Sequence, residues 1–153
     1  MTRRGALGTL LLLVAGCASP PDSGFAEYAS IPPGQSRLYV YRAAGAPGPR
    51  DAGGVDVDHR PLSSLEKGQY VSVVLPPGRV EVVAGVTSGT PLVRLPAREV
   101  ELAADRATYC SVSARLDGLA VLWDLDCGRD PDQHAELRAC RRGKLDRTVD
   151  WQP

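Results

Sequence analysis

The chain has 153 residues with a formal net charge of zero, and 43% of them are hydrophobic, which suits one packed domain. A balance this neutral offers no basic footprint for nucleic acid. With one Phe and two Trp, the core has to be built mainly from Val and Leu, a composition that favours strands.

The first element is Met1 to Cys17. Arg3 and Arg4 form a basic head, followed by an apolar run from Ala6 to Gly16. That run is too short for a spanning helix, which needs about 20 residues. A basic head, a short apolar middle and small residues before a cleavage point read as a secretory signal over residues 1–16. Val14-Ala15-Gly16-Cys17 resembles the lipobox of bacterial lipoproteins, with Val14 at the place usually held by Leu. The resemblance implies that Cys17 is diacylated, becomes the amino terminus on cleavage and is acylated again. Each buried methylene contributes about 0.8 kcal/mol, so three chains hold a protein at a membrane essentially permanently. Ala18 stands where, by analogy, Asp favours the inner membrane, and this points to the outer membrane, facing the periplasm. The open alternative is an ordinary signal cut after Ala18, which leaves a soluble secreted protein. Cleavage removes Arg3 and Arg4 and takes the formal charge to −2.

Residues 17–35 comprise the lipidated cysteine and a tether rich in Pro, Ser and Ala, in which Phe25 and Tyr28 are apolar enough to dock onto a domain. The domain begins at Ser36. Leu38 and Val40 alternate with Arg37, Tyr39 and Tyr41, the period of a half-buried strand. After the loop GAPGPRDAGG, Val55 and Val57 alternate with Asp56 and Asp58, a turn follows at Asp58-His59-Arg60, and a strand returns over Pro61 to Leu65. Tyr70 to Leu75 and Arg79 to Ala84 flank Pro76-Pro77-Gly78, a turn because Pro presets φ and Gly tolerates positive φ. A short apolar stretch at Leu92 to Leu95 precedes a strand over Arg98 to Leu102.

Ala107 to Leu116 and Leu119 to Cys127 form the clearest pair. Asp117-Gly118 is a two-residue hairpin signal. It pairs Leu116 with Leu119 and Val112 with Trp123, and this keeps both apolar sets on one face. Asp130-Pro131-Asp132-Gln133 starts a helix over about 131–142, with Asp as N-cap and Pro at the first position and Gly143 as the stop. Its apolar stripe, Leu137 and Cys140, is thin. Seven to eight short strands with one terminal helix predict an all-β fold, an antiparallel β-sandwich spanning residues 36–153.

The segments Arg37 to Arg42, Val55 to Asp58 leading to Leu65, Gly68-Gln69-Tyr70, Leu75-Pro76-Pro77-Gly78 and the Tyr109 strand resemble a family of small bacterial lipoproteins. That family is named only as domain of unknown function 2846. The resemblance covers roughly residues 25–127 and implies a transthyretin-like or carboxypeptidase-regulatory-like sandwich, with no defined activity to carry over. Two turns depart from it. His59 stands where the family usually has Gly, and Ala104-Asp105-Arg106 where it often has Gly.

Sites for chemistry are sparse. His59 and His134 lack the four ligands of a zinc site. Gly85-Val86-Thr87-Ser88-Gly89 has no Ser at the centre of a nucleophile elbow, and Gly53-Gly54 precedes a strand, unlike a phosphate loop. Glu99 and Glu101 read as a cross-strand charge ladder with Arg79. No catalytic residue, metal or cofactor is expected. Of Cys110, Cys127 and Cys140, one pair is expected to be bridged in an oxidising compartment. Cys127–Cys140 is preferred because it docks the thin helix and because Cys110 and Cys127 lie one step diagonal in the expected register. The other two pairings stay open. By strand parity Tyr39, Tyr41, Tyr70 and Tyr109 point away from the core, which makes them the candidate partner-binding face. The expectation is a non-catalytic binding or structural module held at the membrane by its lipid, its partner an unidentified envelope protein or glycan. The alternative is an envelope hydrolase with an unrecognised site.

Overall fold

The structure is a computed structural model and describes residues 30–48, 53–86, 96–118, 120–128, 131–145 and 151. Its strands are β1 (Ser36–Arg42), β2 (Gly53–Val57), β3 (Arg60–Leu65), β4 (Gln69–Leu75), β5 (Gly78–Val86), β6 (Ala97–Leu102), β7 (Arg106–Asp117) and β8 (Ala120–Gly128). Helix α1 (Pro131–Arg138) and the two-residue strand β9 (Arg141–Arg142) complete it. Two sheets, β8-β7-β1-β4-β9 and β3-β2-β5-β6, pack face to face. The all-β sandwich with a short helix is therefore correct, with nine strands among the described residues where seven or eight were expected. The expected stretch at Leu92 to Leu95 and the residues Phe25 and Tyr28 lie outside the described residues.

Period-two patterning builds this core. Leu38 and Val40 of β1, Val71 and Val73 of β4, and Cys110 and Val112 of β7 face Val55, Val57, Val80, Val82, Val100 and Leu102 of the second sheet. Each such side chain, once fully buried, contributes about 1.5–3 kcal/mol. Leu116 shares the inward parity but is 68% exposed, because the β7–β8 hairpin runs on past the opposing sheet.

Three local expectations need correction. The sheets are not wholly antiparallel, since β1 runs parallel to β7 and β9 parallel to β4. The helix stops at Arg138 and not near 142. Its thin stripe cannot hold a further turn on the sheet, and the amide of Arg141 instead donates to the Gly68 carbonyl at 2.8 Å, starting β9. The β7–β8 register pairs Leu116 with Val121 and Val112 with Leu125. The hairpin centre thus lies one residue later than expected, a shift of two in pairing that leaves every side chain on its expected face.

Both open sides of the sandwich are closed by specific contacts, as edge strands require. On one side the Arg98 guanidinium of β6 donates to the Leu125 carbonyl of β8 at 3.1 Å. On the other, the carboxy-terminal segment wraps from β4 to β3. The Gly143 amide donates to the Tyr70 carbonyl at 2.6 Å, and the Ser63 hydroxyl to the Lys144 carbonyl at 2.7 Å. The Trp151 indole donates to the Pro61 carbonyl at 3.1 Å, and Arg60 lies 4.7 Å from its ring.

The turns at Asp58-His59 and Ala104-Asp105-Arg106 take a backbone that glycine favours. Asp58 and His59 have φ of 48° and 61°, and Asp105 has 57°. Asp and His are among the non-glycine residues that tolerate this region best. Asp58 accepts from the Glu81 amide at 2.8 Å. Asp105 accepts from the Gly34 amide at 2.8 Å and donates its own amide to the Gln35 carbonyl at 2.6 Å. Together with the contact of Arg37 to the Ser30 carbonyl at 3.3 Å, these bonds fasten the chain from Ser30 onward, short of the tether's expected end at residue 35. The expected charge ladder is present, with Arg79 3.7 Å from Glu99. Both groups are exposed, so the pair adds little.

A groove at the carboxyl end of strand β1

The four tyrosines lie, as parity requires, on the face of the first sheet away from the core. Tyr39 stands between Ser72 and Tyr109, and Tyr41 between Tyr70 and Ser111. They are not an exposed face. Tyr39, Tyr41, Tyr70 and Tyr109 are 4%, 0%, 5% and 8% accessible. Leu137 of α1 and Cys140 pack with them into a second apolar cluster. The Tyr39 and Tyr109 rings stack with centroids 5.3 Å apart, and Tyr70 is tilted against Tyr39 at 6.3 Å. The candidate partner-binding surface is thus filled by the protein's own carboxy-terminal segment. Sequence parity fixes which face a ring takes, but not whether a third layer covers that face.

The cysteine pairing also differs from expectation. Cys110 and Cys127 are joined, with Cα atoms 4.1 Å apart, and Cys140 is a buried free thiol. The observed register places Cys110 directly opposite Cys127, so the diagonal that disfavoured this pair does not exist. Cys140 instead docks the segment by packing. Its Sγ lies 3.4 Å from the Glu136 carbonyl and 3.7 Å from that of Arg42. Burial, and then the neighbouring Glu136 charge, push its pKa from 9.0 up to about 11. The unfolded thiol ionises near pH 9, so between pH 9 and 11 the unfolded chain binds fewer protons. The thiol's contribution is fully present below pH 9 and is lost as pH rises through 11. In urea melts the thiol should account for about 2–3 kcal/mol of the loss across that interval. Cys140→Ala should therefore lose that much less than wild type, the rest belonging to Tyr39 and Tyr41, whose pKa values are also raised. Parallel pH profiles for the two proteins would refute this.

Beside the covered tyrosines a groove remains open. It lies where β1 ends at Arg42 while β7 continues to Asp117. Ala43 to Pro47 form one wall, Ser111 to Ser113 the floor, and Glu136 and Ala139 the far side, enclosing about 410 Å³. The wall is set by a turn in which the Ala46 amide donates to the Ala43 carbonyl at 3.0 Å. It is moored where the Ala114 amide donates to the Pro47 carbonyl at 3.4 Å. A neighbouring hollow of about 270 Å³ shares Pro47 and Ser113 and extends toward Arg115, Leu122 and Asp124. Glu136 is positioned by Tyr41, whose hydroxyl donates to Oε2 at 3.2 Å. Burial, and then the Glu136 carboxylate, raise the Tyr41 pKa well above its usual 10.0, so the phenol stays protonated and remains a donor. The Ser111 hydroxyl lies 3.5 Å from the Asp126 carbonyl and within hydrogen-bonding reach of the Tyr41 hydroxyl, and donating to either leaves its oxygen an acceptor.

None of these groove residues was singled out from the sequence. Ser111 and Ser113 alternate with Cys110, Val112 and Ala114 and read as ordinary solvent-facing positions, and Ala43 to Pro47 read as a loop. The one available signal was a run of small residues directly after a strand of tyrosines. Compared with protein-family models, curated proteins and solved structures, the chain has no significant match among them.

The residues first considered for chemistry do not gather here. His59 is exposed in the β2–β3 turn, 3.8 Å from Glu81, and the His134 side chain and Cys17 lie outside what is described. Among the described residues no three His, Cys, Asp or Glu side chains converge in a metal-like cluster.

Proposed function

We propose that this is a lipid-anchored, non-catalytic module of the bacterial cell envelope, of the kind seen in small lipoproteins of domain of unknown function 2846. It is held to the outer membrane through Cys17 and binds a partner molecule of the envelope in the groove between the 43–47 wall and β7. The observation that carries the reading is the Val14-Ala15-Gly16-Cys17 box behind a basic head and a short apolar run. The Cys110–Cys127 bridge supports it, because disulfides persist in oxidising compartments and are rare in the cytosol. The groove supports the binding role, being within the usual volume of ligand sites and lined by apolar walls with a few placed polar groups.

Cys17→Ser tests the anchor. Wild-type protein should fractionate with membranes and give an intact mass for residues 17–153 plus three acyl chains. The variant should lose the acyl mass and leave the outer-membrane fraction. Unmodified protein beginning at Ser19 would instead support a soluble secreted form.

A further inference from the structure

We propose that the groove takes a small ligand through a primary ammonium group, held by the Glu136 carboxylate and the Ser111 hydroxyl, with a second donor on the ligand meeting Ser113. This rests on the binding-module reading above and names the chemistry it serves.

Charge comes first. Among the described residues lining the larger cavity, Glu136 is the only ionisable side chain, so its field favours a cation. Among the described residues its carboxylate accepts one side-chain hydrogen bond, from Tyr41, whereas a carboxylate offers about four acceptor sites. Tyr41 is fully buried and held neutral, so it orients the carboxylate without neutralising it. The charge is thereby preset for a ligand.

Geometry then selects the cation. An ammonium carries three donors, enough to reach Glu136 and the adjacent Ser111 at once. Ser113 is the next outward residue on β7, about 7 Å further along the strand. A ligand that satisfies both ends therefore presents an ammonium and a second N–H or O–H about that distance apart. The Ala43 to Pro47 wall offers methyl and ring carbons to the skeleton between them. A cavity of about 410 Å³ suits one amino sugar or the first residues of a peptide chain. Both sources share the required chemistry.

Calorimetric titration of the full-length lipidated protein in detergent micelles tests the idea. The probes are glucosamine and triglycine amide, each beside its N-acetylated form. At least one free amine should bind, with amide NMR shifts at Tyr41, Ser111, Ser113 and Glu136. Its acetylated form should bind at least tenfold more weakly. Glu136→Gln should weaken binding at least tenfold, and Ser113→Ala several-fold, with thermal melts unchanged because Glu136 is exposed and Ser113 half-buried. Which free amine binds more tightly decides between amino sugar and peptide end. Equal binding of acetylated and free forms, shifts confined to another surface, or Glu136→Gln without effect each overturn the proposal. If neither amine binds while the anchored protein still cross-links to an envelope partner, this inference fails and the binding-module reading stands.

Discussion

Replacing Cys110 and Cys127 by alanine together should lower stability by about 3 kcal/mol, and the melting temperature by roughly 10–15 °C. The bridge spans a sequence separation of 17, and closing a loop of that size removes this much freedom from the unfolded chain on the entropic account. It also ties the edge strand β8 to β7 at the end far from the hairpin turn, so that β8 is held at both ends. Reductant should bring wild-type protein to the melting point of the double variant and leave the variant itself unchanged. Cys140→Ala should not reproduce the loss at neutral pH. If peptide mapping without reductant shows Cys140 joined to either partner, the assignment of the bridge is wrong.

Gly85→Ala should be comparably damaging, at about 3 kcal/mol or more. The Trp123 indole of β8 lies directly against Gly53 of β2 and Gly85 of β5, and a methyl group on either glycine would collide with the ring. Gly85 also has φ of 88°. Overpacking costs about 1–3 kcal/mol, and the strained backbone adds about 1–3 kcal/mol. The ring has no easy retreat, because the Arg42 guanidinium sits 5.0 Å from its centroid. Arg42 is the largest fully buried side chain among the described residues. Trp123→Val should relieve the steric part, so the double variant should lose less than the sum of the single ones. Additive losses, or Gly85→Ala with an unchanged melt and unchanged tryptophan emission, would show that the indole does not occupy this place.

The strands were legible because each carries one apolar face, so alternation marks their position and their parity. The same rule explains the main error. A period of two cannot distinguish registers that differ by two residues, and the β7–β8 hairpin took the register that brings Cys110 to Cys127. The pairing of cysteines followed from a choice to which the pattern is blind. The tyrosines show a second limit. Their outward direction was readable, but their burial depends on α1 and β9 folding back from far along the chain. Leu137 and Cys140 were visible as a thin stripe, and two residues proved enough because the tyrosine rings supply the rest of the cluster. The groove was not legible at all. It arises where β1 leaves its parallel neighbour β7, a pairing between distant segments with no local signature, and its polar groups come from two separate elements, β7 and α1.

The direction of β1 also sets where the groove lies relative to the point at which the chain enters the domain. The described chain enters beside Ser30, next to the amino end of β1. The groove opens past Arg42 at the strand's other end, about 20 Å away for a strand of this length. With a lipid on Cys17, β1 is a stem, with the bilayer attachment at its foot and the groove at its head. Residues 18–29 can lift the foot by at most about 40 Å. On the proposed attachment through Cys17, the tether therefore meets the domain at the end of β1 opposite the groove.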